Sequence, residues 1–162
     1  QSLVYFLKHY PTIEEEVDAI KQYLTLQQIR YNFQFDVRIH VDENVLKIPV
    51  PRFILQPLVE NSLYHGLQDD GYIRIDVRLN QGIEIAIHDN GSGMSEETVQ
   101  KLLHSRTAGQ QKVGLGIGLN YVKRTIESRY GDKAGLEIKS EIGKGTSIYL
   151  TLPIEEVRTQ HD

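Results

Sequence analysis

Tyr72-Ile73-Arg74-Ile75-Asp76-Val77-Arg78-Leu79, then Asn80-Gln81-Gly82, then Ile83-Glu84-Ile85-Ala86-Ile87-His88, is the stretch that decides the fold. Ile73, Ile75, Val77 and Leu79 alternate with polar residues, as do Ile83, Ile85 and Ile87, so each half predicts a strand with one buried face. Asn80-Gln81-Gly82 between them predicts the turn of an antiparallel hairpin. Two consecutive strands break the strand–helix alternation of a doubly wound dinucleotide-binding fold. The downstream Gly114-x-Gly116-x-Gly118 is therefore not a dinucleotide fingerprint, which would follow a strand and read G-x-G-x-x-G. A G-x-x-x-x-G-K-[ST] phosphate loop is absent from the sequence as well.

Upstream, Phe35, Val37, Ile39 and Val41 alternate with polar residues and predict a half-buried strand. Before it, Thr12 with Glu15 three residues on predicts a capping box and a helix start. Ile13, Val17, Ile20, Leu24 and Tyr31 make a narrow apolar stripe on that helix, suited equally to core packing and to a contact with another domain. Residues 1–10 read as the tail of an amphipathic helix broken by Pro11. Position 1 is Gln, and Gln1 to Leu7 resembles the middle of a helix, so the chain is expected to be an excerpt of a longer protein. Between Pro51 and the hairpin, Gln56 to Gly66 predicts a helix with Pro57 in its first turn and Gly66 as its stop.

Downstream, Ser95 caps a short helix to Ser105. Arg106 to Lys112 has no apolar periodicity and reads as a loop. A helix from about Ile117 to Tyr130 presents Leu119, Val122, Ile126 and Tyr130 on one face, and Gly131 ends it. Leu136–Lys139 and Ser147–Leu152 predict a strand pair around Gly143-Lys144-Gly145-Thr146. Pro153 closes that strand, and residues 154–162 read as a frayed tail. The sum is an α+β two-layer sandwich: a mixed sheet of about five strands covered by helices on one face.

The 162 residues suffice for one domain with its own core. A net charge of −4 leaves no basic footprint for nucleic acid, so none is expected as a partner. The absence of cysteine removes disulfides, thiolate zinc sites and a thiol nucleophile.

The polar motifs are Asn61 and His65 on the Gln56–Gly66 helix, Asp89-Asn90-Gly91-Ser92-Gly93, Gly114-Leu115-Gly116-Ile117-Gly118-Leu119, and Gly143-Lys144-Gly145-Thr146. Asn61 and His65, four residues apart, share a helix face. A carboxamide oxygen can ligate a hard cation and an imidazole can meet an anionic oxygen, which suits a Mg²⁺-bound triphosphate. An Asp at a strand end followed by two glycines offers its carboxylate in a turn that a flat ring can approach closely. Glycines leading into a helix leave backbone N–H groups free to hold phosphate.

In this order the motifs resemble the N, G1, G2 and G3 boxes of the GHKL, or Bergerat-fold, ATPases: gyrase, Hsp90, histidine kinases and MutL. The wording Tyr23-Leu24-x5-Arg30-Tyr31 and Pro49-x-Pro51-x4-Gln56-Pro57-Leu58-Val59-Glu60-Asn61-x3-His65-Gly66 is similar to the catalytic ATP-binding domain of LytS/YesM-type bacterial sensor histidine kinases. The resemblance covers about residues 12–153, with residues 1–11 as the end of an upstream dimerisation and phosphoacceptor region.

The resemblance implies ATP and Mg²⁺ as cofactors. Asp89 would accept a hydrogen bond from the adenine amino group, with Gly91 and Gly93 beside the base and Thr146 on the wall behind it. Gly114, Gly116, Gly118 and Leu119 would border the phosphates, and residues 94–113 would form a lid. Arg106 and Lys112 are then either phosphate contacts or solvated loop charges. Asn61 would ligate Mg²⁺ and His65 would touch phosphate. Glu60, about 100° round the helix from Asn61, either orients an acceptor imidazole as an acid–base residue or makes a salt bridge.

One departure separates subfamilies. Hydrolysing members place a water-activating Glu four residues before the metal Asn; here that residue is Pro57, which favours transfer to a protein acceptor over hydrolysis. None of His9, His40, His65, His88, His104 and His161 lies in the Pro-His-Phe context of the family's phosphoacceptor. The acceptor is therefore expected on upstream helices of a homodimeric parent. A response-regulator receiver domain would take the phosphate, and the domain would lie on the cytoplasmic side of a membrane-anchored sensor. The alternatives are an anti-sigma-type serine kinase or ATPase, and a catalytically silent nucleotide-binding interaction module.

Overall fold

The computed structural model describes residues 10–32, 34–64, 70–104 and 118–155. The expected helix tail at 1–9, the side chain of Tyr31, His65, Arg106, Lys112, Gly114, Gly116 and the tail beyond 155 lie outside the described residues. Chain order is α1 (Ile13–Tyr31), β1 (Asp36–Val41), α2 (Gln56–Tyr64), β2 (Tyr72–Leu79), β3 (Ile83–Asp89), α3 (Glu96–His104), α4 (Leu119–Tyr130), β4 (Gly135–Glu141) and β5 (Gly145–Leu152). Short 3-10 turns add Glu43–Val45 and Gly131–Lys133.

The five strands form one sheet in the order β1-β2-β3-β5-β4. β1 runs parallel to β2, which is reached by the crossover that contains α2, and every other pair is antiparallel. The expected mixed sheet and both expected hairpins are present. The β2–β3 turn works differently from a glycine-led one: the left-handed residue is Gln81, at φ 60°. Gly82 serves close approach instead, since a Cβ there would stand 2.7 Å from the carbonyl oxygen of Leu152.

Ile73, Ile75 and Val77, Ile83, Ile85 and Ile87, and Ile148, Leu150 and Leu152 all point to one side of the sheet, where they are buried. They meet Ile13, Val17, Ile20 and Leu24 of α1, Leu58 and Val59 of α2, and Leu119, Val122 and Ile126 of α4 in one core. Each such side chain contributes on the order of 1.5–3 kcal/mol through burial. The α1 stripe thus packs inside the domain, which resolves the choice left by its spacing. Both predicted caps form: the Thr12 hydroxyl accepts the Glu15 N–H at 3.2 Å while the Glu15 carboxylate accepts the Thr12 N–H at 3.0 Å. Ser95 Oγ likewise accepts the Thr98 N–H at 3.2 Å.

The other sheet face carries Arg74, Asp76, Glu84, His88 and Tyr149 in a shallow depression of about 380 Å³. Alternation is therefore read out as two layers with one bare polar face. None of the described helices is long and apolar enough to cross a membrane.

Candidate functional site

β3 ends on Asp89, and its side chain points to the helix-covered face, in register with Ile85 and Ile87. Asp89 is 7% exposed. Its Oδ1 accepts the Gly91 N–H at 2.8 Å, the tight turn expected of an Asp before glycines. Burial pushes its pKa up; the Gly91 amide, the Ser62 hydroxyl and the Thr146 amide each pull it back in part. The Ser62 oxygen is buried without a hydrogen-bond partner.

Thr146 stands directly opposite Asp89 in the β3–β5 pair and is 4% exposed. Its hydroxyl shares a 2.7 Å hydrogen bond with Ser140 Oγ, which also accepts the Met94 N–H at 2.7 Å. One serine on β4 thereby ties the 90–94 turn to the β5 wall. Asn90 anchors the turn on its other side, accepting the Tyr72 N–H at 2.8 Å. Gly93, at φ 74°, has no room for a Cβ because the Glu141 carbonyl occupies that space. Its lack of a side chain thus serves chain-on-chain packing, where the sequence suggested room for a base.

α2 is buried almost all round: Pro57, Leu58, Val59, Glu60, Asn61 and Ser62 are all inside. Pro57 sits in the first turn as expected. Glu60 is 3% exposed and accepts a 3.0 Å hydrogen bond from Gln56 Nε2. Asn61 is fully buried, and neither atom of its carboxamide has a hydrogen-bond partner. A buried amide with no partner costs about 1–3 kcal/mol relative to one that is satisfied.

α4 begins at Leu119 rather than at Ile117, after Gly118 in extended conformation, and no side chain caps it. The Tyr121 N–H turns back to Gly118 O at 3.1 Å, and the N-terminal end of such a helix attracts negative charge. Asn120 Nδ2 donates to Leu103 O at 2.7 Å, which joins the start of α4 to the end of α3. Tyr121 Oη donates to Arg52 O at 3.0 Å, which joins it to the turn before α2. The structure therefore brings Asp89, Gly91, Gly93, Thr146, Glu60, Asn61, Gly118 and Leu119 onto the helix-covered face.

His88, next to Asp89, faces the bare side. Its Nδ1 lies 2.7 Å from Ser147 Oγ, and its ring meets Tyr149 edge-on at 5.7 Å. Burial, then the Arg74 charge, push its pKa down. A shallow depression of about 350 Å³ on that side reaches Asp89 and Thr146 from behind but does not include Asn61. The buried polar atoms with no hydrogen bond, those of Asn61 and Ser62, lie away from that surface hollow.

Sequence reasoning passed over Ser62, Ser140 and Glu16. Glu16 carried a legible signal, since it interrupts the run Ile13, Val17, Ile20 on the apolar face of α1. Ser62 and Ser140 carried none, because their roles depend on contacts across the sheet.

A family model for the histidine kinase-, DNA gyrase B- and HSP90-like ATPases matches residues 30–156. The chain belongs to that family. Among relatives of this ATPase domain, the sensor histidine kinase YesM of Bacillus subtilis is 32% identical over 154 residues, covering 93% of this chain and 25% of YesM. The sensor protein LytS of Bacillus anthracis is 29% identical over 145 residues, covering 87% of this chain and 24% of LytS. The chain thus spans about a quarter of the length of the curated relatives it matches. The catalytic domain of histidine kinase ThkA superposes with a TM-score of 0.67 at 16% identity, covering 90% of this chain and 96% of that one. The mycobacterial sensor histidine kinase MprB gives 0.57 at 19% identity, covering 87% and 95%. At such identities the likeness establishes the fold of the ATPase domain, a five-stranded mixed sheet with helices on one side.

Proposed function

We propose that residues 12–153 are the ATP-binding catalytic domain of a two-component sensor histidine kinase. The domain binds Mg²⁺-ATP and presents the γ-phosphate to a histidine on upstream helices of a homodimeric parent, for relay to a response-regulator receiver domain. The observation that carries this reading is the Asn61 carboxamide, fully buried and unpartnered, on the helix-covered side of the sheet with Asp89. Among the described residues no cluster of three acidic or histidine side chains could hold a metal alone. A single carboxamide fits Mg²⁺ that takes its remaining oxygens from phosphate and water.

The residues divide the work along the nucleotide. Asp89 accepts from the adenine amino group while Gly91 and Thr146 hold its carboxylate in place. Gly118 and Leu119 offer the α4 amides to phosphate, with Gly114 and Gly116 before them and His65, Arg106 and Lys112 as further phosphate contacts. Asn61 holds the metal, and Glu60, buried beside it, orients the acceptor imidazole. Mg²⁺ held by Asn61 would supply charge neutralisation at the phosphates, and the chain's own contribution to transfer would be positioning more than covalent chemistry. Pro57, which cannot activate water, supports transfer over hydrolysis. The kinship with YesM and LytS favours histidine as acceptor over a hydroxyl, and a cytoplasmic domain within a membrane-anchored sensor.

The test is calorimetric titration of a non-hydrolysable ATP analogue, with and without Mg²⁺, on this chain and on Asp89→Asn. Phosphotransfer to an added histidine-bearing helical fragment of the parent follows. Binding lost in the variant, and label on the fragment histidine, are expected. A folded chain that binds no nucleotide would overturn the reading.

A further inference from the structure

Glu16 lies on α1, the first described helix, yet its carboxylate is spent on a different element. It is 7% exposed, and it accepts the Ile54 N–H at 3.0 Å; burial raises its pKa, and the neighbouring Phe53, Ile54 and Leu55 amides partly offset that. Phe53, immediately before the Ile54 amide, adopts the left-handed conformation, at φ 62°. A non-glycine residue pays for that conformation only where something holds it, and successive amides around such a residue make an anion nest. Here the anion is internal.

The nest sits immediately before α2. Leu55 O receives the Leu58 and Val59 N–H groups at 3.1 and 3.3 Å, so the turn that Glu16 grips is continuous with the helix carrying Asn61. α2 has nine residues and no acidic side chain in its first turn. The Glu16 carboxyl, bonded two residues before Gln56, stands close to where a first-turn acid would. α1 is in turn fastened to the strand-like segment leading to the nest: Ile13 N–H donates to Ile48 O at 3.0 Å, Glu14 N–H to Leu46 O at 3.0 Å, and Val50 N–H to Pro11 O at 2.9 Å. A shift of α1 therefore cannot leave the 46–55 segment behind.

We propose that Glu16 is a positioning residue for the metal site: through the Phe53–Leu55 nest it sets α2, and with it the Asn61 carboxamide, according to where α1 lies. This rests on the reading of Asn61 as the Mg²⁺ ligand. It gives α1 a direct mechanical hold on the metal end of the nucleotide, while the Asp89 end is held chiefly by the Gly91 amide and the β3–β5 pairing.

The test is Glu16→Gln, which keeps the shape and removes the charge. A charge-assisted bond replaced by a neutral one weakens the grip by about tenfold. Amide hydrogen exchange without nucleotide is expected to show Ile54 to Val59 exchanging about tenfold faster, with β3 and β5 unchanged. In calorimetry with ATP, affinity without Mg²⁺ stays within about twofold while the gain on adding Mg²⁺ shrinks by about tenfold. A merely structural role would instead speed exchange everywhere and weaken both titrations alike, and that outcome overturns the proposal, as does no change in either. If the wild-type chain binds no nucleotide, the ATP reading fails, and the exchange pattern alone then decides: selective loosening of 54–59 upholds the hold of Glu16 on α2, and uniform or absent change overturns it.

Discussion

The main-chain carbonyl of Asp89 occupies the space where a Cβ on Gly145 would stand, and Gly145 itself sits at φ 111°. The Asp89 carboxylate, proposed to meet adenine, is therefore placed by backbone packed against backbone, opposite Thr146. Gly145→Ala is expected to destabilise the domain by more than about 2 kcal/mol, since strain and overlap add. Gly143, at φ 87° but with nothing within 4 Å of its Cβ position, serves as the control. Gly143→Ala should cost only about 1 kcal/mol of left-handed strain. Urea denaturation of the two variants checks the difference, and equal losses would mean that the Asp89 carbonyl yields easily.

Asp89→Asn should separate folding from binding. The carboxylate's hydrogen bond is to the Gly91 amide two residues on, which an Asn oxygen can also accept, so the variant is expected to keep its fold, with unfolding free energy within about 1 kcal/mol of wild type. Loss of a charged acceptor at the adenine amino group should weaken ATP binding by at least about tenfold. Paired thermal melts and calorimetry read both quantities, and retained affinity would remove Asp89 from the site.

The same carboxylate sets a pH dependence. Burial raises its pKa above the ordinary 3.8. The folded chain then holds this proton more tightly than the unfolded one, so the group's contribution to stability is full below 3.8 and is lost as pH rises through the raised value. Nucleotide affinity should move the opposite way over that window, because only the carboxylate accepts well. Subtracting the Asp89→Asn profile isolates the effect from Glu16, whose pKa burial also raises. A difference profile flat above 3.8 would contradict this assignment.

Asn61→Leu should have opposite effects on stability and function. Replacing an unpartnered buried amide by a side chain of similar volume removes a desolvation cost, so the ligand-free domain should gain about 1 kcal/mol. The Mg²⁺-dependent part of ATP affinity should vanish. A net loss of stability in urea would show that the amide serves the fold and not a ligand.

Much of this architecture was legible in the chain, and for one reason: the signals were local. Alternation wrote out β1, β2, β3 and β5, and Thr12 with Glu15, Ser95 and Pro57 marked helix starts, because capping and pleating act within a few residues. The hairpin at 72–88 was enough to exclude a doubly wound fold. The order of the boxes pointed to the ATPase family before any geometry was known.

What the tertiary structure decided were the contacts between segments distant in sequence. The insertion of β5 between β3 and β4 put Thr146 opposite Asp89. Packing against α1 and the sheet, not any property of Gln56–Tyr64 alone, buried Asn61 on every side. The glycines at 93 and 145 could be seen in the sequence, but that each makes way for another strand's carbonyl could not. A side chain's neighbours along the chain are set by the sequence order, whereas close approach, desolvation and the loss or gain of a hydrogen-bond partner arise only when strands and helices from separate stretches are brought together.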